Sequence, residues 1–251
     1  MMTELLISAL AGLLFGHVLD LAFVRFYTSE DPATPLHHCP ACRSPFRARF
    51  ALPLTGYVMS LGRCPDCRAG LPLRSVVLPL GGAALFTTSV AVFDSLAPGI
   101  VGGIFATVFL TLTLTDFDRR LLPNRIVYPS IVLAIALSWV WPNVSVTEVL
   151  IGGLAGLALG VGLLIASLPF GKGAFGMGDV KMIALIGFVV GPASLLIGVF
   201  VGSVVGGLMA ATLIVARLRN RRDYMPHGPY LAMGAVIALF WGAEVRDIYT
   251  A

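Results

Sequence analysis

Charged side chains are scarce in this 251-residue sequence. Lys, Arg, Asp and Glu make up 12% of it, against about 25% in a soluble globular domain. Hydrophobic residues make up 57%, and several apolar runs approach the roughly 20 residues that cross a bilayer as a helix. The composition therefore excludes an ordinary soluble domain and predicts an all-α polytopic membrane protein.

Two common motifs are also missing. The N-terminal stretch MMTELLISALAGLLFG has no basic residue before its apolar run and no clear small-x-small cleavage site, so it does not resemble a signal peptide. We expect a retained first span whose short tail is exported. The glycine-rich stretch FGKGAFGMGD lacks the G-x4-G-K-[ST] pattern of a phosphate-binding loop.

About eight transmembrane helices are predicted, the sixth of them short and ending at Gly191-Pro192. The chain divides into a first transmembrane helix (1–24), a polar loop (25–75) and a membrane-embedded core (76–251). The predicted spans are 4–24, 76–95, 98–115, 126–142, 147–168, 180–191, 193–216 and 229–243.

The basic residues indicate the orientation of these spans. With the N-terminus outside, the inner segments hold 16 of the 17 Lys and Arg residues, and only Arg246 falls outside them. This asymmetry satisfies the positive-inside rule and predicts that the polar loop is cytoplasmic. The basic pI then reflects topology rather than nucleic-acid binding, although the same surface could also attract anionic membrane lipid. The inner segments are 25–75, 116–125, 169–181 and 217–228.

The polar loop contains all four cysteines, in the motifs CPAC (Cys39, Cys42) and CPDC (Cys64, Cys67). Two C-x2-C knuckles at this spacing predict a four-cysteine zinc site, and four thiolates leave no open position, so the metal would be structural. Disulfides are rare in the reducing cytosol, but a redox pair stays an alternative. So does a histidine ligand from His37 or His38, which directly precede the first knuckle. The spacer between the two knuckles is basic and is expected to be turn-rich.

Two acidic residues stand out at span ends. Asp116 ends the third span and Asp179 begins the sixth, so both lie at the inner ends of helices and could be neighbours. Two close carboxylates share a proton, and aspartyl proteolysis uses such a pair: the charged member activates water and the neutral member donates to the peptide carbonyl. Gly176 and Gly178 would let an extended substrate approach the backbone.

Other interpretations of these aspartates remain open. Asp179 could simply favour the positive end of its helix, and Asp116 could pair with the neighbouring arginines. Asp118 is a local competitor of Asp116. Asp20, inside the first span, is a weaker candidate for a polar contact to other helices. A proton-coupled secondary transporter using Asp116 and Asp179 is the alternative function, and a zinc-stapled scaffold of a secretion machine is a third.

Small residues recur every fourth position in two spans and predict close helix packing in lipid. Incidental glycine in loose helices is the alternative, and the oligomeric state is not predicted. The two sets are Gly152, Gly156, Gly160 and Gly198, Gly202, Gly206.

The sequence resembles the bacterial type IV prepilin leader peptidases, which are membrane aspartyl proteases with a G-x-G-D motif. The resemblance covers nearly the whole chain in five pieces: the first span running into Arg25, the double C-x2-C loop, DFDRRLLPN, GMGDVKM, and MPHGPYLAMG (225–234).

The resemblance implies that Asp116 and Asp179 are the catalytic pair and that 76–251 is the peptidase core. It adds Pro123, Asn124, Gly176, Gly178 and Lys181 as motif or substrate-binding residues. The implied substrates are type IV prepilins or pseudopilins, cut at the cytoplasmic face of the inner membrane, usually just after glycine. Members with the cysteine loop often also methylate the new N-terminus with S-adenosylmethionine.

The sequence departs from the family pattern at four positions. Pro79 stands where a Glu is common, Asp20 where Asn is usual, His227 where an apolar aromatic is usual, and Asn124 where Asp is commoner. The methyltransferase activity is the prediction most affected by these departures, because a missing acidic residue could have helped to position the amine.

Overall fold

The computed structural model describes residues 2–27, 39, 41–42, 44, 53–141, 145–170, 175–218 and 227–250. These residues form eight α-helices and no β-strand beyond one isolated bridge between Arg63 and Gly70. In chain order the helices are α1 (Met2–Tyr27), α2 (Pro53–Met59), α3 (Arg74–Phe93), α4 (Leu96–Arg119), α5 (Asn124–Ala136), α6 (Val146–Ser167), α7 (Met177–Val215) and α8 (Gly228–Thr250).

Six of these helices are long and apolar enough to cross a membrane, and α5 is a shorter apolar helix of 13 residues. The 39-residue helix α7 is broken at Gly191, whose φ of 73° only glycine adopts without strain, and Pro192 follows directly. Its two halves correspond to the predicted sixth and seventh spans. The prediction of an all-α membrane protein is therefore confirmed, and each predicted span matches a helix or one half of α7.

The chain forms two compact units, residues 1–107 and 108–251. In the first unit, α1 packs closely against α3. A Cβ added at Gly12 or Gly16 would collide with the backbone of Gly82 or Leu78, so these glycines let the two helices touch. From Leu6 to Phe23 the exposed side chains of α1 are all large and apolar, as lipid-facing positions require.

In the second unit, α7 lies between α6 and α8, and the two predicted small-residue faces form these contacts. A Cβ at Gly156 would lie 2.5 Å from the carbonyl oxygen of Ile183, and one at Gly202 would lie 2.8 Å from that of Tyr230. Both faces are thus used inside the chain, which favours the packing interpretation over incidental glycine.

One local expectation was wrong. The fourth span was expected to run to 142, but α5 ends at Ala136 and residues 137–141 form turns, where the Ser138 hydroxyl bonds to the Ile135 carbonyl. Pro142, which cannot donate a backbone hydrogen bond, follows these turns in the sequence. The described part of the spacer between the cysteine knuckles contains turns at residues 60–62, as expected, and also α2, which begins at Pro53, a residue suited to a first helical turn.

Candidate active site and candidate metal centre

Asp116 lies in the last turn of α4, with 6% of its surface exposed. The helix ends just beyond it, because Arg120 adopts a left-handed conformation (φ 53°) while still donating its N–H to the Asp116 carbonyl oxygen at 2.9 Å. Leu122 then precedes Pro123, and a residue before proline avoids the helical conformation. The chain therefore leaves α4 directly after the aspartate and restarts as a helix at Asn124.

Asp179 lies in the first turn of α7, with 7% of its surface exposed. Its Oδ2 accepts a hydrogen bond from the backbone N–H of Gly176 at 2.9 Å, as in a helix capping box. The side chain therefore does cap its helix, as one interpretation of the sequence held. Only one carboxylate oxygen is engaged in that hydrogen bond.

The two aspartates come together in the second unit. The charge of Asp179 acts on the Asp116 carboxylate, and the side chain of His227 interacts electrostatically with both. Arg120 also interacts with Asp116, whereas Asp118 is exposed. Burial separates Asp116 from its local competitor Asp118, so the arrangement offers two buried carboxylates that interact electrostatically.

The motif residues around the pair link α5 to α7. The Lys181 ammonium donates a hydrogen bond to the Asn124 side-chain oxygen at 2.8 Å. A Cβ at Gly178 would lie 3.2 Å from Leu122 Cδ1, so this glycine permits close contact with the segment before α5. Pro123 is the residue before the first turn of α5, in an extended conformation. Gly178 and Lys181 lie within two residues of Asp179, and Pro123 and Asn124 follow Asp116 by seven and eight residues.

The start of α8 also belongs to this region, and the sequence reasoning assigned it no role. The backbone N–H of Gly228 interacts with the Asp116 carboxylate. The His227 carbonyl oxygen accepts the N–H groups of Tyr230 and Leu231 at 3.1 Å, which forms the first turn of the helix. The Gly-Pro pair inside MPHGPYLAMG could have drawn attention to this segment, because such a pair often marks a turn directly before a helix.

The four cysteines form one cluster in the first unit. Their Sγ atoms all lie within 4.8 Å of one another, with Cys39 and Cys67 3.7 Å apart and Cys42 and Cys64 3.8 Å apart. Four sulfurs bound tetrahedrally to zinc at about 2.3 Å stand roughly 3.8 Å apart. The donor set therefore fits a tetrahedral metal ion, as predicted. His37 and His38 lie outside the described residues.

The electrostatics of the cluster favour a bound cation. Burial raises the pKa of the Cys39 thiol, but the backbone N–H groups of Cys42 and Ala41 outweigh burial and lower this pKa to about 7. The N–H of Ser44 lowers the pKa of Cys42, but burial and the neighbouring thiols raise it to about 12. The neighbouring groups thus favour ionisation of Cys39, whereas the neighbouring thiols oppose ionisation of Cys42, and a bound divalent cation would stabilise the thiolates.

A second buried charge lies in the first unit. Asp20 on α1, 2% exposed, forms an ion pair with Arg74 at the start of α3, with Oδ1 and Nε 3.3 Å apart. The Arg74 guanidinium also stacks over the ring of Phe23, 4.2 Å from its centroid. The expected polar contact of Asp20 with another helix is therefore present, and it joins α1 to α3.

Two family models match the chain. The model of the type IV leader peptidase family matches residues 103–211, which include both aspartates. The model of the bacterial peptidase A24 N-terminal domain matches residues 10–93, which include the four cysteines.

Curated relatives extend over most of the chain. A prepilin leader peptidase/N-methyltransferase of Aeromonas hydrophila is 33% identical over 86% of this chain and 74% of its own length. The Bacillus subtilis protein of that name is 26% identical over 95% and 94%. A type 4 prepilin-like proteins leader peptide-processing enzyme of Escherichia coli is 28% identical over 93% of each. No solved structure matches.

Proposed function

Because the chain belongs to the type IV leader peptidase family, we propose that it is a membrane aspartyl endopeptidase that removes the leader peptide of type IV prepilins or pseudopilins. The observation that carries this proposal is the buried pair of Asp116 and Asp179 at the end of α4 and the start of α7. The names of the relatives support the substrate class.

The proposed mechanism uses only these two side chains and water. The ionised carboxylate takes a proton from water as the water oxygen attacks the scissile carbonyl carbon, and the protonated carboxyl donates its proton to the carbonyl oxygen. The resulting tetrahedral intermediate collapses: the C–N bond breaks, the departing amine takes up the proton that the first carboxylate had accepted, and the second carboxylate takes back a proton from a hydroxyl of the intermediate. No acyl-enzyme forms, so the chemistry calls for no nucleophilic Ser or Cys.

The motif residues would guide the substrate. We propose that Gly176 and Gly178, which carry no side chain at the start of α7, let an extended peptide lie close to Asp179. Pro123, Asn124 and Lys181 would form the neighbouring wall, supported by the hydrogen bond between Lys181 and Asn124.

We propose zinc as the metal of the cysteine cluster, held by Cys39, Cys42, Cys64 and Cys67. Four thiolates fill a tetrahedral shell, so this ion would stabilise the loop and take no part in hydrolysis. We propose methylation of the new N-terminus with S-adenosylmethionine because the relatives are named prepilin leader peptidase/N-methyltransferases.

We further propose the orientation and organisation predicted from the charges: a first span (1–24), a cytoplasmic loop (25–75) and a peptidase core (76–251) in the inner membrane. Both carboxylates would then act near the cytoplasmic face, and the basic loops could also contact anionic lipid. Fusions of an export-dependent phosphatase after residue 145 should be active and fusions after residue 170 inactive. The reverse pattern would refute this orientation.

The transporter alternative is not favoured. Both aspartates lie at helix ends, and a transporter of this kind binds its coupling ion near the bilayer midplane.

The proposed function is tested by co-expressing the protein with a candidate prepilin and measuring leader removal by mass spectrometry. Asp116→Asn and Asp179→Asn should each lower cleavage by about 10²–10⁴-fold, because each removes an acid–base group. The exposed Asp118→Asn serves as the matched control and should cleave normally. Full cleavage by both active-site variants would disprove the proposed pair, and the same spectra report any added methyl group.

A further inference from the structure

Gly228 stands apart from the other glycines of the described part of the chain. A Cβ added there would lie 2.6 Å from Asp116 Oδ2, 2.9 Å from its Cγ and 3.2 Å from its Cβ. All three nearest atoms belong to one side chain, that of Asp116. At the tightly packed glycines of α6 and α7, by contrast, an added Cβ would meet helix backbone or apolar side chains.

The contact between Gly228 and Asp116 is also polar. The N–H of Gly228 interacts with the Asp116 carboxylate, and Gly228 is itself buried. A backbone donor fixed at the first turn of a 23-residue helix cannot rotate away, so it holds its partner more firmly than a side-chain donor would. The neighbouring His227 brings a titratable side chain near both aspartates.

We propose that the start of α8 is the third component of the catalytic site and that Gly228 is the positioning residue of Asp116. Because glycine has no side chain, the Asp116 carboxylate can occupy the space beside Gly228, and the backbone N–H of Gly228 contacts the carboxylate there. This inference rests on the proposed function of Asp116. Gly228 lies more than one hundred residues after Asp116 in the chain. In this role it neither touches the substrate nor moves a proton.

The first test is kinetic. Gly228→Ala should lower kcat for leader removal by about 10²-fold, the cost of displacing a reacting group by about 1 Å. KM should change little, because the substrate-binding wall is untouched. Gly207→Ala is the matched control: it is another helix glycine of the same unit, with no atom within 4 Å of its added Cβ, and it should cleave normally.

The second test separates positioning from general damage to the fold. Thermal unfolding in detergent would be measured for wild type, Gly228→Ala, Asp116→Ala and the double variant. Asp116→Ala removes the two nearest colliding atoms, so Gly228→Ala should lower Tm in the wild-type background and clearly less in the Asp116→Ala background. If Gly228 had a merely structural role, Gly228→Ala would lower Tm equally in the wild-type and Asp116→Ala backgrounds.

The outcomes are distinguishable. Wild-type kcat in Gly228→Ala, or an equal loss of Tm in both backgrounds, would overturn the positioning role while Asp116→Asn still tested the peptidase itself. Normal cleavage by Asp116→Asn would instead overturn the proposed function. A loss of kcat at constant KM together with the relieved loss of Tm would establish Gly228 as the positioning residue.

Discussion

Each candidate catalytic carboxylate meets a backbone N–H of a glycine that begins a helix. Asp179 accepts the N–H of Gly176, three residues earlier at the start of the same helix, and Asp116 interacts with that of Gly228 on a separate helix. These N–H donors partly replace the contacts with water that burial removes. Each nearly inaccessible carboxylate therefore keeps a polar partner.

The hydrogen bond between Lys181 and Asn124 gives a prediction at the scale of single residues. It joins the first residue of α5 to the first turn of α7, two residues after Asp179. Asn124→Leu keeps the approximate size and removes the acceptor, so we expect a several-fold loss of kcat/KM for leader removal. The loss should be modest because the pair is exposed.

Asn124→Asp is the matched control for that prediction. A carboxylate retains the acceptor and adds a charge opposite to that of Lys181, so this variant should cleave at least as well as wild type. If Asn124→Leu also cleaves like wild type, the hydrogen bond does not support the site.

At the scale of helices, close packing of α6 on α7 determines where Asp179 stands. Gly156 and Gly160 face Ile183 and Val180, and Val180 follows Asp179 directly. Helices in lipid gain little from hydrophobic burial, so such close backbone contact supplies much of their association. Separating α6 from α7 should therefore weaken the fold and disturb the active site together.

Gly156→Leu tests this packing. The added side chain would enter the space occupied by the Ile183 carbonyl, and overpacking of this kind costs roughly 1–3 kcal/mol or more. We expect a lower Tm in detergent and reduced cleavage. Gly162→Leu, on the same helix but with no atom within 4 Å, should leave Tm nearly unchanged. Equal effects of the two substitutions would refute the packing argument.

The helices were largely predictable, because a bilayer imposes length and apolarity on every span. The break at Gly191 was visible as Gly-Pro, and its positive φ explains why glycine stands there. Helix α2 was not predicted, since seven residues give little periodicity and its stability depends on neighbours. The early end of α5 was also missed, because hydropathy alone does not distinguish a helix from apolar turns.

The candidate site was predictable only where its residues carry chemistry. Asp116 and Asp179 are conspicuous in an apolar chain, and their shared leaflet follows from the parity of the spans. Gly228 carries no functional group, and its contact with Asp116 depends on how α8 packs against α7 through residues such as Gly202. Sequence patterns indicate which face of a single helix is apolar or lined by small residues. The contact between Gly228 and Asp116, by contrast, depends on how several helices pack together.

At the scale of the whole molecule, the candidate metal centre and the candidate active site belong to different compact units. The cysteine cluster lies in residues 1–107, and both aspartates lie in residues 108–251. Metal binding in such a loop contributes directly to its folding, since the unfolded chain has no preformed site. Loss of the metal should therefore destabilise the first unit without removing either carboxylate.

Metal removal tests this separation. Purified protein should contain zinc by elemental mass spectrometry, and Cys39→Ser or a strong chelator should release it and expose the loop between the knuckles to proteases. Because four thiolates leave no open position on the metal, leader removal should fall much less than in Asp116→Asn. His38→Ala should retain zinc, since four cysteines complete the shell. Loss of cleavage as severe as that of Asp116→Asn, in a variant whose second unit stays folded, would mean that the metal takes part in proteolysis and that the two units do not act separately.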